Sequence, residues 1–431
     1  HSLGLLIKPS WQNNAPPLFI EVIGANHSIP SFLPLFMSTA KISQTTRVHG
    51  ALLGSNFFAG VAAIVGALGL PATHPLVFAL YREVLSGALL MGLSYYFYNS
   101  SNDNDDDTIE EDPKRINRKN SNFLRGAMKL QWKSFAVLGF LVFGNQAGAL
   151  VGLKLTDPVT LSVWQPSQPI MAAAISMALG WEPLRRKRLA GVGVAFVGCV
   201  VMVLLKKHGS TTTNEEETIT NRGSYTYILG NFLFFVNCLC HSLFIMTSKR
   251  MLSLYPALFV TACSYNFAAL YMIIATCLAT VVYPLSNKLL CPECGASNSN
   301  IWQLPQGALP ALLYFVFVGS VICYGLMTWA NRTATGTLVT SYSVLQPVTS
   351  TIVATLLLVI GIVPSCSTSS SSFCLDFPTW GTFCGMMGVF GGLAVIIATE
   401  PPSSKEKNTT AGEEDLETLP SDLELYDESR T

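Results

Sequence analysis

Apolar stretches about twenty residues long recur along this chain, separated by short polar connections. A bilayer core about 30 Å thick needs roughly 20 apolar residues in a helix that rises 1.5 Å per residue. Runs of that kind lie near 50–70, 75–98, 134–153, 158–180, 189–205, 225–247, 257–282, 307–330, 336–363 and 379–398. Only Arg82 and Glu83 put charge inside them. The pattern predicts an all-α polytopic membrane protein with ten transmembrane helices. Residues 1–48 contain several prolines, with Glu21 inside their only apolar patch, and read as a poorly structured lead-in.

Composition agrees with a membrane. The chain is 50% hydrophobic and 12% charged, where soluble domains carry roughly 25% charged residues. A formal net charge of zero gives no reason to expect a nucleic-acid partner. The distribution of charge says more. If the first span runs outward from the cytosol, 20 of the 26 basic residues fall on inside segments, which predicts that both termini are cytosolic. The connection 99–133 opens with the acidic run Asp103 to Asp107 and turns basic from Lys114. The tail 399–431 is acidic and rich in Ser and Thr. Both are expected to be disordered and cytosolic.

The spans repeat. Ser162-Val163-Trp164-Gln165-Pro166 in the fourth matches Ser343-Val344-Leu345-Gln346-Pro347 in the ninth, and Phe196 and Gly198 in the fifth match Phe390 and Gly392 in the tenth. Residues 50–205 and 225–398 thus read as two five-helix repeats. An odd number of spans per repeat inserts the second copy upside down. The charges fit this, since the connection after span four carries Arg185-Arg186-Lys187-Arg188 and the one after span nine, 364–378, has no basic residue. Inverted repeats are the architecture of alternating-access carriers, whose two halves exchange conformations around one central site.

Gly152-Leu153-Lys154-Leu155-Thr156, the Gln-Pro span, Gly180-Trp181-Glu182-Pro183-Leu184 and the glycine-rich fifth span from Gly191 carry a resemblance to the drug/metabolite transporter superfamily. It is to the EamA-like branch and, more loosely, to its plant members, and it covers roughly residues 50–400. The second half departs from the pattern in lacking a counterpart of Glu182. The resemblance implies ten helices and secondary transport of a small metabolite. A receptor or scaffold without transport, or an integral membrane enzyme, is the competing class. For the enzyme there is no nucleophile elbow, His-Glu-x-x-His helix or phosphate loop. The expected partners are a small-molecule substrate and the lipid bilayer, with a homodimer left open, no cofactor and no metal. Plasma membrane and endomembranes fit equally.

The candidate site is the polar inventory of the spans: Arg82, Asn145, Gln146, Gln165, Gln168, Asn266 and Gln346. Polar groups at membrane depth need a partner or a wet cavity, so each either joins helices or touches substrate. Arg82 could hold an anionic group or snorkel toward the helix end. Glu83 and His241 are the candidates for carrying a proton, His241 having helix packing as its alternative. Each proline of the two Gln-Pro steps frees a carbonyl and bends its helix, so the steps could frame a site or form a packing kink. Seven of the eleven cysteines fall inside spans, where they act as small apolar residues. Cys291, Cys294, Cys366 and Cys374 fall on the two predicted outside loops 283–306 and 364–378, where disulfides are preferred over a four-sulfur zinc knuckle.

Overall fold

The architecture comes from a computed structural model. It describes residues 43–69, 73–102, 113–156, 161, 164–179, 186–209, 224–281, 302, 304–361 and 380–399, and among them every regular element is helical. The helices are α1 (Gln44–Gly69), α2 (Pro75–Asn102), α3 (Pro113–Leu155), α4 (Ser167–Leu179), α5 (Arg186–Gly209), α6 (Ser224–Leu254) and α7 (Ala257–Val281). They are followed by α8 (Gln306–Asn331), α9 (Gly336–Ile360) and α10 (Trp380–Ala398). Seven of them, α1, α2, α3, α6, α7, α8 and α9, contain stretches long and apolar enough to cross a membrane. In each, the residues left outside the bundle are as apolar as those inside: Leu53, Phe57, Phe140, Leu278 and Val359 are all exposed. Helices apolar on every side need lipid as their solvent, so the chain is a multi-pass membrane protein.

Three boundaries differ from the pattern reading. The lead-in ends earlier than residue 48, because the Ser43 hydroxyl accepts the Thr46 N–H at 3.2 Å and caps a helix that begins at Gln44. The connection 99–133 is not disordered throughout. α2 runs on to Asn102, and α3 starts at Pro113, a residue whose fixed φ suits the first turn. Lys and Arg are good helix formers, so the basic stretch after Lys114 winds into a stem that leaves helical geometry once, at Gln131. The fourth span is broken at the Gln165-Pro166 step, and α4 begins only at Ser167. The loops holding Cys291, Cys294, Cys366 and Cys374, and most of the N- and C-terminal segments, lie outside the described residues.

Packing is set by small residues. α5 and α10 approach so closely that a Cβ on Gly198 would sit 2.7 Å from the Val389 nitrogen, and one on Gly392 2.5 Å from the Ala195 nitrogen. α3 lies against α6 and α7, α2 against α7, α1 against α8 and α9, and α4 against α6 and α9. The larger core fills the end of the bundle where α1 begins and α6 finishes, with Leu52, Phe135, Leu138, Phe244, Ile245 and Tyr342 at its centre. A smaller cluster around Phe78, Leu150, Met272 and Phe315 lies toward the other end. Between the two cores the bundle is open.

Candidate functional site

That opening is a cavity of about 170 Å³. Its walls come from α1 (Ser55 to Gly66), α3 (Asn145 to Leu153), α6 (Asn237, His241), α8 (Phe315 to Met327), α9 (Val339 to Ser350) and the Leu161–Gln168 stretch, with Arg82 supplied by α2. Along α1 it runs from the middle of the helix to near its C-terminal end. The opposite end is filled by the larger core and tied by hydrogen bonds: His49 Nδ1, half-buried, lies 2.5 Å from the Tyr342 hydroxyl, and the buried Asn331 amide donates to the Ile245 carbonyl at 2.8 Å.

Arg82 is buried, and its guanidinium is held on three sides by neutral groups. Nε donates to Ser320 Oγ at 3.2 Å, Nη1 donates to Gln146 Oε1, and the Phe315 ring lies 4.9 Å from its central carbon. α8 makes room by winding as a π-helix over Phe315–Ile322, in which the Ser320 hydroxyl donates five residues back to the Phe315 carbonyl at 2.9 Å. Such turns often mark functional positions. Gly319 keeps the wall thin: a Cβ there would already be 3.9 Å from the Arg82 Nη2.

From Arg82 the hydrogen bonds continue across four helices. The Gln146 amide donates to the Tyr324 hydroxyl at 2.9 Å, and the Asn145 amide donates to the same oxygen at 2.6 Å. Asn145 also lies 3.1 Å from His241 Nδ1, and its own side-chain oxygen accepts from Asn237 at 2.5 Å. A polar network this complete fixes side-chain positions, because each member has its partner in a low-dielectric setting.

The two Gln-Pro steps border the same cavity and touch each other. Ser343, the first residue of the second motif, donates to the carbonyl of Gln165 at 3.3 Å. Gln168 donates to Gln165 Oε1 at 2.5 Å, while Gln346 donates to Asn56 Oδ1 at 3.0 Å. Just before the second step α9 tightens into a 3-10 turn over Tyr342–Val344.

Of the residues expected to bind substrate, Arg82, Asn145, Gln146, Gln165, Gln168 and Gln346 line the cavity, and so does His241. Asn266 is not among the residues that line it. Its amide donates to the Gly87 carbonyl at 3.0 Å and to the Ala262 carbonyl at 2.8 Å, so it clamps α2 to α7. Glu83 is also off the cavity, buried behind its wall. Pattern reading passed over Asn56 and Asn237, which carry the same amide-in-a-span signal as the residues it singled out. It also passed over Ser320 and Tyr324, whose hydroxyls are unexceptional in a transmembrane run. Among the described cysteines Cys238, Cys240, Cys263 and Cys323 are buried thiols. Away from the cavity lining, burial and then the charge of Lys154 bring the His74 imidazole down to about 4.

Residues 47–204 match the EamA-like transporter family. That stretch, from α1 into α5, is thus similar to EamA-like transporters, a likeness in keeping with the drug/metabolite transporter superfamily. An uncharacterized transporter, YyaM, of Bacillus subtilis is 23% identical over 215 residues, which cover 49% of this chain and 61% of that protein, so the chain spans less than two thirds of this relative. A WAT1-related protein of Arabidopsis thaliana is 23% identical over 299 residues, 66% of this chain and 71% of its own. A solved crystal structure superposes with a TM-score of 0.52 over 83% of this chain and 98% of its own length at 16% identity, a likeness of fold alone.

Proposed function

We propose that this protein is a secondary transporter that moves a small organic solute bearing an acidic group across a membrane by alternating access. The observation that carries the reading is Arg82: a full positive charge at membrane depth, on a cavity wall, with hydrogen-bond and ring partners that are all neutral. An intramembrane cation with no countercharge in its contacts leaves that place for a ligand anion. The cavity of about 170 Å³ has room for a small organic solute. Leu150, Leu153, Leu161 and Met327 supply apolar walls for the rest of it.

Alternating access is supported by the packing order of the helices. Replacing each helix by the one five further along turns the pair α3–α6 into α8–α1, α3–α7 into α8–α2, and α1–α9 into α6–α4. All six pairs are in contact, and α2–α7, α4–α9 and α5–α10 map onto themselves. That pseudo-twofold order is what two five-helix repeats would produce, with ten spans and both termini on the cytosolic side. In a cysteine-free background, Lys187→Cys and Ser369→Cys should then be labelled from opposite faces of the membrane. Labelling from one face would refute the inversion. Cys291, Cys294, Cys366 and Cys374 would share the non-cytosolic face, where disulfides form.

The functional test is flux. Purified protein in liposomes should move at least one small organic acid, amino acid, nucleobase or sugar phosphate faster than protein-free vesicles do, with acidic solutes preferred. Saturable binding without flux would instead make it a receptor, and neither binding nor flux would end the reading.

A further inference from the structure

Arg82 and Glu83 are neighbours in sequence, but a helix turns about 100° between them, and they enter different surroundings. Arg82 reaches the cavity. Glu83 lies on the side of α2 that packs against α7: Gly87, four residues on and on the same face, has Asn266 of α7 as its nearest neighbour. Glu83 is fully buried, and neither carboxyl oxygen has a hydrogen-bond partner among the described residues. The same holds for two hydroxyls on the two packed helices, Ser86 on α2 and Tyr265 on α7, both also fully buried. Three unpartnered polar groups at one helix interface contrast with the network around Arg82.

The ionisable groups whose charge reaches Glu83 are Arg82 on its own helix, Tyr265 on α7 and Tyr324 on α8. Tyr265 meets Tyr324 edge-on, with ring centroids 5.2 Å apart, and Tyr324 lines the cavity. A carboxylate with no partner in a low-dielectric interior is very costly, and a bound proton removes that cost. The Tyr265 hydroxyl is bonded to neither Glu83 nor Tyr324 in this conformation, so a proton can pass along this line only when the side chains move.

We propose that Glu83 is a proton-binding site separate from the solute cavity, which exchanges its proton with the cavity through the hydroxyls of Tyr265 and Tyr324, so that the carrier moves protons with its solute. In each transfer a hydroxyl oxygen takes up one proton and releases the one it held, so both tyrosines end neutral, Glu83 ends ionised and the proton ends on water or solute in the cavity. The coupling to solute rests on the transport reading. The proton site does not.

It can therefore be tested without a solute, on the full-length protein in liposomes. Infrared difference spectra should show a protonated carboxyl band that is lost as the pH is raised, that is absent in Glu83→Gln, and whose deuterium exchange slows in Tyr265→Phe. Dicyclohexylcarbodiimide, which modifies protonated carboxyls buried in membranes, should label Glu83 of the unmutated protein more at acid than at alkaline pH. This arm does not depend on any variant folding. A carboxyl band retained in Glu83→Gln, or pH-independent labelling, would overturn the proton site. Unchanged exchange in Tyr265→Phe would overturn the tyrosine route. Absence of flux in the solute screen would instead count against the transport reading, leaving these results standing.

Discussion

The two sides of α2 handle buried polar groups in opposite ways. On the cavity side Arg82, Gln146, Asn145, Tyr324, His241 and Asn237 are linked by hydrogen bonds across α2, α3, α6 and α8. On the α7 side Glu83, Ser86 and Tyr265 are equally buried and have no hydrogen-bond partner among the described residues. Stability alone would favour linking every such group or removing it, since an orphaned buried polar atom costs roughly 1–3 kcal/mol. The linked side has the character of a rigid frame that holds one charge for a ligand. The orphaned side has the character of a place where something transient is bound.

Substitutions can break or sharpen this contrast. The largest effect is expected at Arg82. Arg82→Gln should reduce flux of an acidic solute by roughly ten- to a hundredfold, the equivalent of losing a charged hydrogen bond of about 1.5–3 kcal/mol, while membrane insertion stays normal. Arg82→Lys should not restore it, because an ammonium cannot serve Ser320, Gln146 and a ligand with one planar fork. Next comes Asn145→Ala, which strips a partner from Tyr324, His241 and Asn237. It should lower unfolding stability in detergent by about 2–4 kcal/mol, a sum of unmade buried hydrogen bonds. Gln346→Ala removes the single bond to Asn56 and should cost about 1 kcal/mol in the same measurement. Ser86→Ala, on the orphaned side, removes an unpartnered buried hydroxyl and should leave stability unchanged or raise it by up to about 1 kcal/mol. A loss at Ser86 as large as that at Asn145 would erase the distinction between the two sides.

How much of this was legible follows from how conspicuous each residue is in an apolar run. Arg82 and the amides at 145, 146, 165, 168 and 346 contrast with their surroundings, and the cavity collects them. Asn266 is equally conspicuous yet clamps two helices, because sequence gives the presence of an amide and not the direction it faces. Tyr324 and Ser320 were illegible for the converse reason. Hydroxyls are common in membrane helices, and what brings Ser320 to Arg82 is the π-helical widening of α8, which no residue type announces. The stem from Pro113 was missed because its charge reads as solvated chain, although Lys and Arg also favour helix. The echo of the Gln-Pro motifs was the most informative short signal, since Ser343 of one motif bonds directly to Gln165 of the other.

The central claim is that Arg82 selects an acidic solute in a transport cavity. The most direct measurement is flux into liposomes of matched solutes of equal size, one carrying a carboxylate and one an amide in its place, through the unmutated protein and Arg82→Gln. The account predicts that the unmutated protein prefers the carboxylate and that Arg82→Gln loses this preference while still moving the amide. Equal preference for the carboxylate in both proteins would contradict it.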